Sequence, residues 1–291
     1  MNGQSAKKYK AYLSILLAAA SWGCIGLFSR RLLAAGVSPE NIVTIRNFGS
    51  LILLTMIFLP VDKKVFPVKP KHLPIFFGTG IVSVLLFTLC YFHAQELCSL
   101  AVAAILLYTA PAMVVIMSAI LWKEPVTKRK LFALALALLG CACVTGIFGG
   151  ALSLTPAGFL YGIGSAFFYA LYSIFGRYAL RHYEPMTVVY WTFIFAGVGA
   201  LCFMDAPALL AALSVPATAL SALGIVAVST VLPYILYTRG LAEVESGKAS
   251  IMASLEPVVA SFVGILAFGE PMSAGVFLGL GCILACVYVL R

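Results

Sequence analysis

Apolar runs about twenty residues long recur from one end of this chain to the other. A bilayer's hydrocarbon core is about 30 Å thick, and a helix needs about 20 apolar residues to cross it. Ten such runs are legible, near 11–33, 41–60, 73–94, 99–122, 128–147, 157–179, 187–204, 217–238, 248–268 and 273–290. They are apolar all round, which excludes the alternating strands of an outer-membrane barrel. Only 10% of the residues are charged, against about 25% in a soluble domain. The sequence predicts an all-α polytopic membrane protein with ten transmembrane helices. Its short connections leave no room for a soluble domain. The first run, behind Lys7, Lys8 and Lys10, is longer than the apolar core of a signal peptide and has no clear cleavage site after it. It reads as an uncleaved first span.

The chain resembles itself at an offset of 146 residues. Tyr91 falls on Tyr237, Ala103 on Ala249, Ile105 on Ile251, Pro111 on Pro257, and Glu124-Pro125 on Glu270-Pro271. One residue of slippage lays "SWGCIGLFSR" over "FYALYSIFGR", so that Arg30 meets Arg177. Residues 1–147 and 148–291 then form two repeats of five spans each. Five is odd, so the second repeat is expected to enter the membrane upside down.

Charge gives an independent reason for that inversion. Cytoplasmic segments are enriched in Lys and Arg. With the N-terminus inside, sixteen of the nineteen basic residues fall on the inner side, Arg291 among them; Arg30, Arg31 and Arg46 do not. The matched loops differ as inversion requires: "WKEPVTKRK" carries four basic residues, and "FGEPMSAG" carries none. Both termini are therefore expected in the cytoplasm. The net charge of +9 is explained by orientation and anionic lipid, so no nucleic-acid partner is expected.

The two matched Glu-Pro pairs have a plain structural use. Proline is tolerated in a helix's first turn, and a hydroxyl residue is a good N-cap. Glu124-Pro125 precedes Thr127, and Glu270-Pro271 precedes Ser273. Both pairs read as turns joining spans four to five and nine to ten, with each carboxylate suited to the positive end of a helix dipole.

Glu256 is different. It lies eight residues beyond Lys248, about 12 Å along a helix and near mid-depth, and the first repeat has Ala110 in its place. A charge there costs about 2.5–3.5 kcal/mol on the insertion scale. It must face a polar cavity, find a partner or take up a proton; the plain alternative is a hydrogen bond to a neighbouring helix. Pro111, Pro257 and Pro233 each free the carbonyl four residues earlier, which marks a hinge, a cavity wall or a packing kink. Arg46, the other charge within a span, can snorkel to the interface or face the cavity. Trp22, Tyr108 and Tyr169 stand at mid-span as candidate cavity aromatics, with packing as the alternative. Cys282 and Cys286 share a helix face and read as packing residues. No disulfide, metal site, cofactor or catalytic residue is expected.

Together these features resemble the EamA family of drug/metabolite transporters. The resemblance rests on "SWG" in span one, Arg46 in span two, the mid-span prolines and "LEPVVASFVGILAFGEP". It covers essentially the whole chain, with Lys123 standing where a glycine is common. It implies a secondary active transporter in the plasma membrane of a prokaryote. Such a protein works by alternating access, driven by protons or by exchange, and often exports amino acids or other small metabolites. The residues alone point the same way, since inverted repeats with broken helices place a substrate site near the midplane. A passive channel or structural membrane subunit is the alternative. An intramembrane enzyme is disfavoured, because the three histidines are scattered and no nucleophile stands with a base.

Overall fold

The computed structural model describes residues 3–145, 154–270 and 272–290. The end of the expected fifth span, the 147/148 repeat boundary, Pro271 and Arg291 lie outside the described residues. Within them the chain is almost wholly helical. The sole β pairing among the described residues is an isolated bridge between Cys98 and Leu154. Among the described residues, eight helices are long and apolar enough to cross a membrane: Lys7–Ala34, Pro39–Val61, Pro70–Leu97, Ala101–Trp122, Pro156–Ala179, Pro185–Phe203, Pro216–Leu241 and Ser246–Phe268. Two helices of 17 residues, Lys128–Val144 and Ala274–Leu290, occupy the expected fifth and tenth places. A short helix that hydropathy did not suggest, Ala206–Leu213, lies between the seventh and eighth spans. Asp205 caps it through Ala208 N at 3.2 Å.

Each helix finds its main neighbour in the other half of the chain. The first packs on the eighth, the third on the sixth, the second on the seventh and the fifth on the tenth, while the fourth packs chiefly on the sixth and the ninth chiefly on the first. This pairing pattern is unchanged when spans one to five are exchanged with six to ten. Small residues set the closest crossings. A Cβ on Gly279 would collide with Val144 Cγ2 and come within 2.8 Å of the Gly140 carbonyl, so its absence lets the fifth and tenth helices draw together.

The regular helices are interrupted at matched places. The fourth span breaks at Tyr108-Thr109, between Leu100–Leu107 and Ala110–Trp122. The ninth breaks at Ser254-Leu255, between Ser246–Ala253 and Glu256–Phe268. Each break leads directly into a proline at the second position of the resumed helix, Pro111 or Pro257, as expected of a residue that cannot donate to the preceding turn. The third and eighth spans each contain a π-helical stretch, Gly78–Leu85 and Ala227–Val231. Pro233 stands just past the second of these; the first contains no proline. Such wide turns are rare and collect at functional sites.

Both Glu-Pro turns share one helix ending. Lys123 and Gly269 are left-handed, with φ of 53° and 67°, and the next residue's N–H reaches back six residues, Glu124 to Ser118 and Glu270 to Gly264. It is a left-handed C-terminal cap whose bond is one residue wider than that of a Schellman motif. It explains why glycine suits this place and makes Lys123 the one non-glycine residue with positive φ among the described residues.

Loop contacts define the two ends of the bundle. At one end Lys7 pairs with Glu243 at 2.8 Å, and Tyr183 Oη accepts from Lys69 N at 2.9 Å. At the other, Asn41 bonds Asp205 and Thr155 Oγ1 donates to the Leu97 carbonyl at 3.1 Å. The basic loops all lie at the first end.

Candidate functional site

The helix breaks and π-turns meet in the middle of the bundle, where aromatic residues enclose a small chamber. Trp22 packs edge-on against Tyr234 at 5.5 Å and Tyr169 at 6.4 Å, and lies 5.3 Å from Tyr237. Trp22 and Tyr169 are themselves matched residues of "SWG" and "FYA". Two hydrogen bonds tie the sixth span to the eighth behind this cluster. Tyr172 Oη meets Thr238 Oγ1 at 2.7 Å, and Ser173 Oγ meets Tyr237 Oη at 2.8 Å. The void beside Trp22 is lined by Ser83, Phe87, Tyr169 and Tyr234 among others.

A second void adjoins it. Tyr108, Pro111, Tyr169, Ser254 and Glu256 line this one, so Tyr169 is the wall common to both. Each void measures about 10 Å³, enough for about one water molecule. A larger ligand enters only if the walls part.

Glu256 is the first residue of the resumed ninth helix, where a carboxylate faces unsatisfied N–H groups and the positive end of the dipole. The approach of the first span is very close here. Gly23 stands against the Glu256 carbonyl, where an added Cβ would come within 2.8 Å. The first span is broken at the same level, between Gly23 and Ile25. Arg46 lies within electrostatic reach of Glu256 and Tyr234, yet forms no ion pair with either. Its Nε is buried without a hydrogen-bond partner, so this guanidinium points into the bundle and not to the interface.

The structure thus gathers Trp22, Tyr108, Tyr169, Pro111 and Glu256 around two adjoining voids. Arg46 is near without lining them, Pro257 follows Glu256 as the second residue of the resumed helix without lining either void, and Pro233 stands apart in the eighth span. Hydropathy missed Ser83 and Ser229, which occupy matching positions in the two π-turns. Both hydroxyls are buried with no partner, and Ser83 lines the aromatic void. Their matched spacing of 146 residues was the available signal.

The Glu-Pro turns are also built differently from the expectation. Thr127 does cap the fifth helix, accepting from Lys130 N at 3.2 Å. Glu124 serves another helix: its carboxylate accepts from Ser246 N at 3.1 Å and Gly247 N at 3.3 Å, capping the start of the ninth span. Arg177 at 3.2 Å and Lys130 at 3.7 Å complete its shell. Glu245 joins through Lys130 at 2.9 Å. Partial burial of Glu245 works to raise its pKa, but Lys130 and Lys248 outweigh this and hold the carboxyl below its usual value. Its contribution is present at neutral pH and is lost as pH falls through that lowered value.

This architecture recurs in known proteins. The model of the EamA-like transporter family matches residues 9–146 and again 156–291. The chain belongs to the EamA-like transporter family. An uncharacterized transporter of Archaeoglobus fulgidus is 30% identical over 204 residues, 68% of this chain and 70% of that protein. The uncharacterized inner membrane transporter YicL of Salmonella typhimurium is 27% identical over 288 residues, 97% of this chain and 95% of its own. A protein crystal structure superposes with a TM-score of 0.80 over 96% of this chain and 95% of that one, at 19% identity. That likeness shows the fold alone. As an EamA transporter the chain is a multi-pass membrane protein acting on a small molecule, and its relatives include a bacterial inner membrane transporter.

Proposed function

We propose that this EamA protein is a secondary active transporter that exports a small metabolite, such as an amino acid or related compound, by alternating access. Glu256 carries the reading: a carboxylate at a helix break, at mid-depth and beside an aromatic chamber, is costly unless it binds a cation. In this scheme Glu256 holds the coupling proton or a cationic group of the substrate. Arg46 supplies opposite charge, and Trp22, Tyr108 and Tyr169 give apolar contact. The chain is not an enzyme in this reading.

The two halves are proposed to be inverted repeats of five spans, with both termini in the cytoplasm of a prokaryote. The two 17-residue helices cross as well, since each extends about 26 Å at 1.5 Å per residue, the lower limit for a span. The exchange pattern of helix neighbours and the matched breaks at Tyr108 and Ser254 support this arrangement. Bases of opposite enrichment in the matched loops support the orientation.

Purified protein in lipid vesicles tests the function. With an imposed proton gradient and a mixed metabolite extract outside, at least one solute should accumulate against its own gradient. Equilibration without accumulation would instead indicate a channel, and no movement of any solute would contradict transport.

A further inference from the structure

The two repeats carry the same ion pair at opposite ends of the bundle. Arg177 binds Glu124 at 3.2 Å, and Arg30 binds Glu270 at 2.5 Å. All four residues are matched partners in the sequence, Arg30 with Arg177 and Glu124 with Glu270. The likeness extends to the supporting ring: Arg177 lies over Trp122 at 5.5 Å and Arg30 over Phe268 at 4.9 Å. Trp122 and Phe268 are again 146 residues apart. Each pair joins the far end of a cavity-lining span, the sixth or the first, to the turn after a broken span, the fourth or the ninth. We infer that these pairs are the two gates of the transport cycle, each closing the central chamber toward one side of the membrane. The inference rests on the alternating-access reading above.

The gates are unequal. The Arg177–Glu124 pair has side chains 30% and 5% exposed, and Lys130 with two backbone N–H groups reinforces it. The Arg30–Glu270 pair has side chains 51% and 42% exposed and gains no such support among the described residues. An exposed pair contributes little, whereas breaking a buried one has a large effect. Both are closed here, in keeping with voids of about 10 Å³ beside Trp22 and Glu256. The empty protein therefore opens more readily at the Arg30 end.

A single reporter cysteine at Ser83, placed by Ser83→Cys in a chain whose eight native cysteines are replaced, tests this with a membrane-impermeant maleimide. Vesicles of both orientations give the sidedness, and no substrate is needed. The unmodified gates should allow slow labelling, faster from the Arg30 end. Glu270→Gln should raise labelling from that end about threefold. Arg177→Gln should raise it from the opposite end about tenfold, a larger effect because the carboxylate it leaves behind, Glu124, is buried. Arg30→Gln and Glu124→Gln attack the same pairs from their other members and replace any variant that does not give a monodisperse, folded protein. The double exchange Arg30→Glu with Glu270→Arg should restore the slow rate. Increases from the same end in both variants, or unchanged rates in folded variants, would overturn the assignment. Failure of the accumulation experiment would leave this result readable, since labelling reports opening and not transport.

Discussion

Glu256→Gln should yield a folded protein whose proton-driven accumulation falls at least tenfold and whose dependence on pH flattens. The substitution keeps the shape of the side chain and removes its charge, so it leaves the packing against Gly23 and the ninth-span break in place. A site where proton and substrate compete couples their movements, because each shifts the other's affinity. Without the carboxylate that competition disappears. Glu256→Asp should retain part of the activity through its shorter acid. Accumulation in reconstituted vesicles across a pH series checks both. An unchanged rate and profile in the Gln variant would reduce Glu256 to a structural hydrogen-bonding group.

The second large effect is on stability, and it separates two residues that the sequence writes alike. Glu124→Ala should destabilise the folded protein by about 3–5 kcal/mol, the usual result of removing one partner of a buried ion pair. Among the described residues it leaves Arg177 with the Val244 carbonyl and the Trp122 ring alone, and it uncovers the N–H groups of Ser246 and Gly247. Lys130 keeps Glu245 at 2.9 Å, which limits the loss. Glu270→Ala removes only an exposed pair with Arg30 and should cost about 1 kcal/mol or less. Thermal unfolding of both variants in the same detergent measures the difference. Equal losses would mean that the buried shell of Glu124 contributes nothing beyond the turn.

Much of this molecule is legible because the bilayer is a demanding solvent. A span must be long, apolar and hydrogen-bonded within itself, so hydropathy finds the runs. A proline must break the ladder, so Pro111 and Pro257 mark the breaks at Tyr108 and Ser254. The repeat, with its one residue of slippage, aligns Trp22 with Tyr169, and their rings lie 6.4 Å apart. The π-turn at Gly78–Leu85 was not legible, since no proline or charge announces it. Ser83 was overlooked for the same reason. Local reasoning also assigned Glu124 to its own turn, because nothing near it in the chain signals Ser246, 122 residues away. Arg46 was ambiguous for a physical reason: a long side chain near a helix end reaches water or the interior equally well. Only the packing of the second span decides which.

The most direct measurement concerns the inversion on which the paired gates and the alternating chamber both depend. Lys128 and Ser273 follow the two Glu-Pro turns and are both exposed. Single cysteines placed there, in a background lacking accessible native thiols, can be treated with an impermeant maleimide in sealed cells and in inverted vesicles. The inverted-repeat account predicts labelling of Lys128→Cys only from the cytoplasmic face and of Ser273→Cys only from the opposite face. Labelling of both from the same face would contradict it.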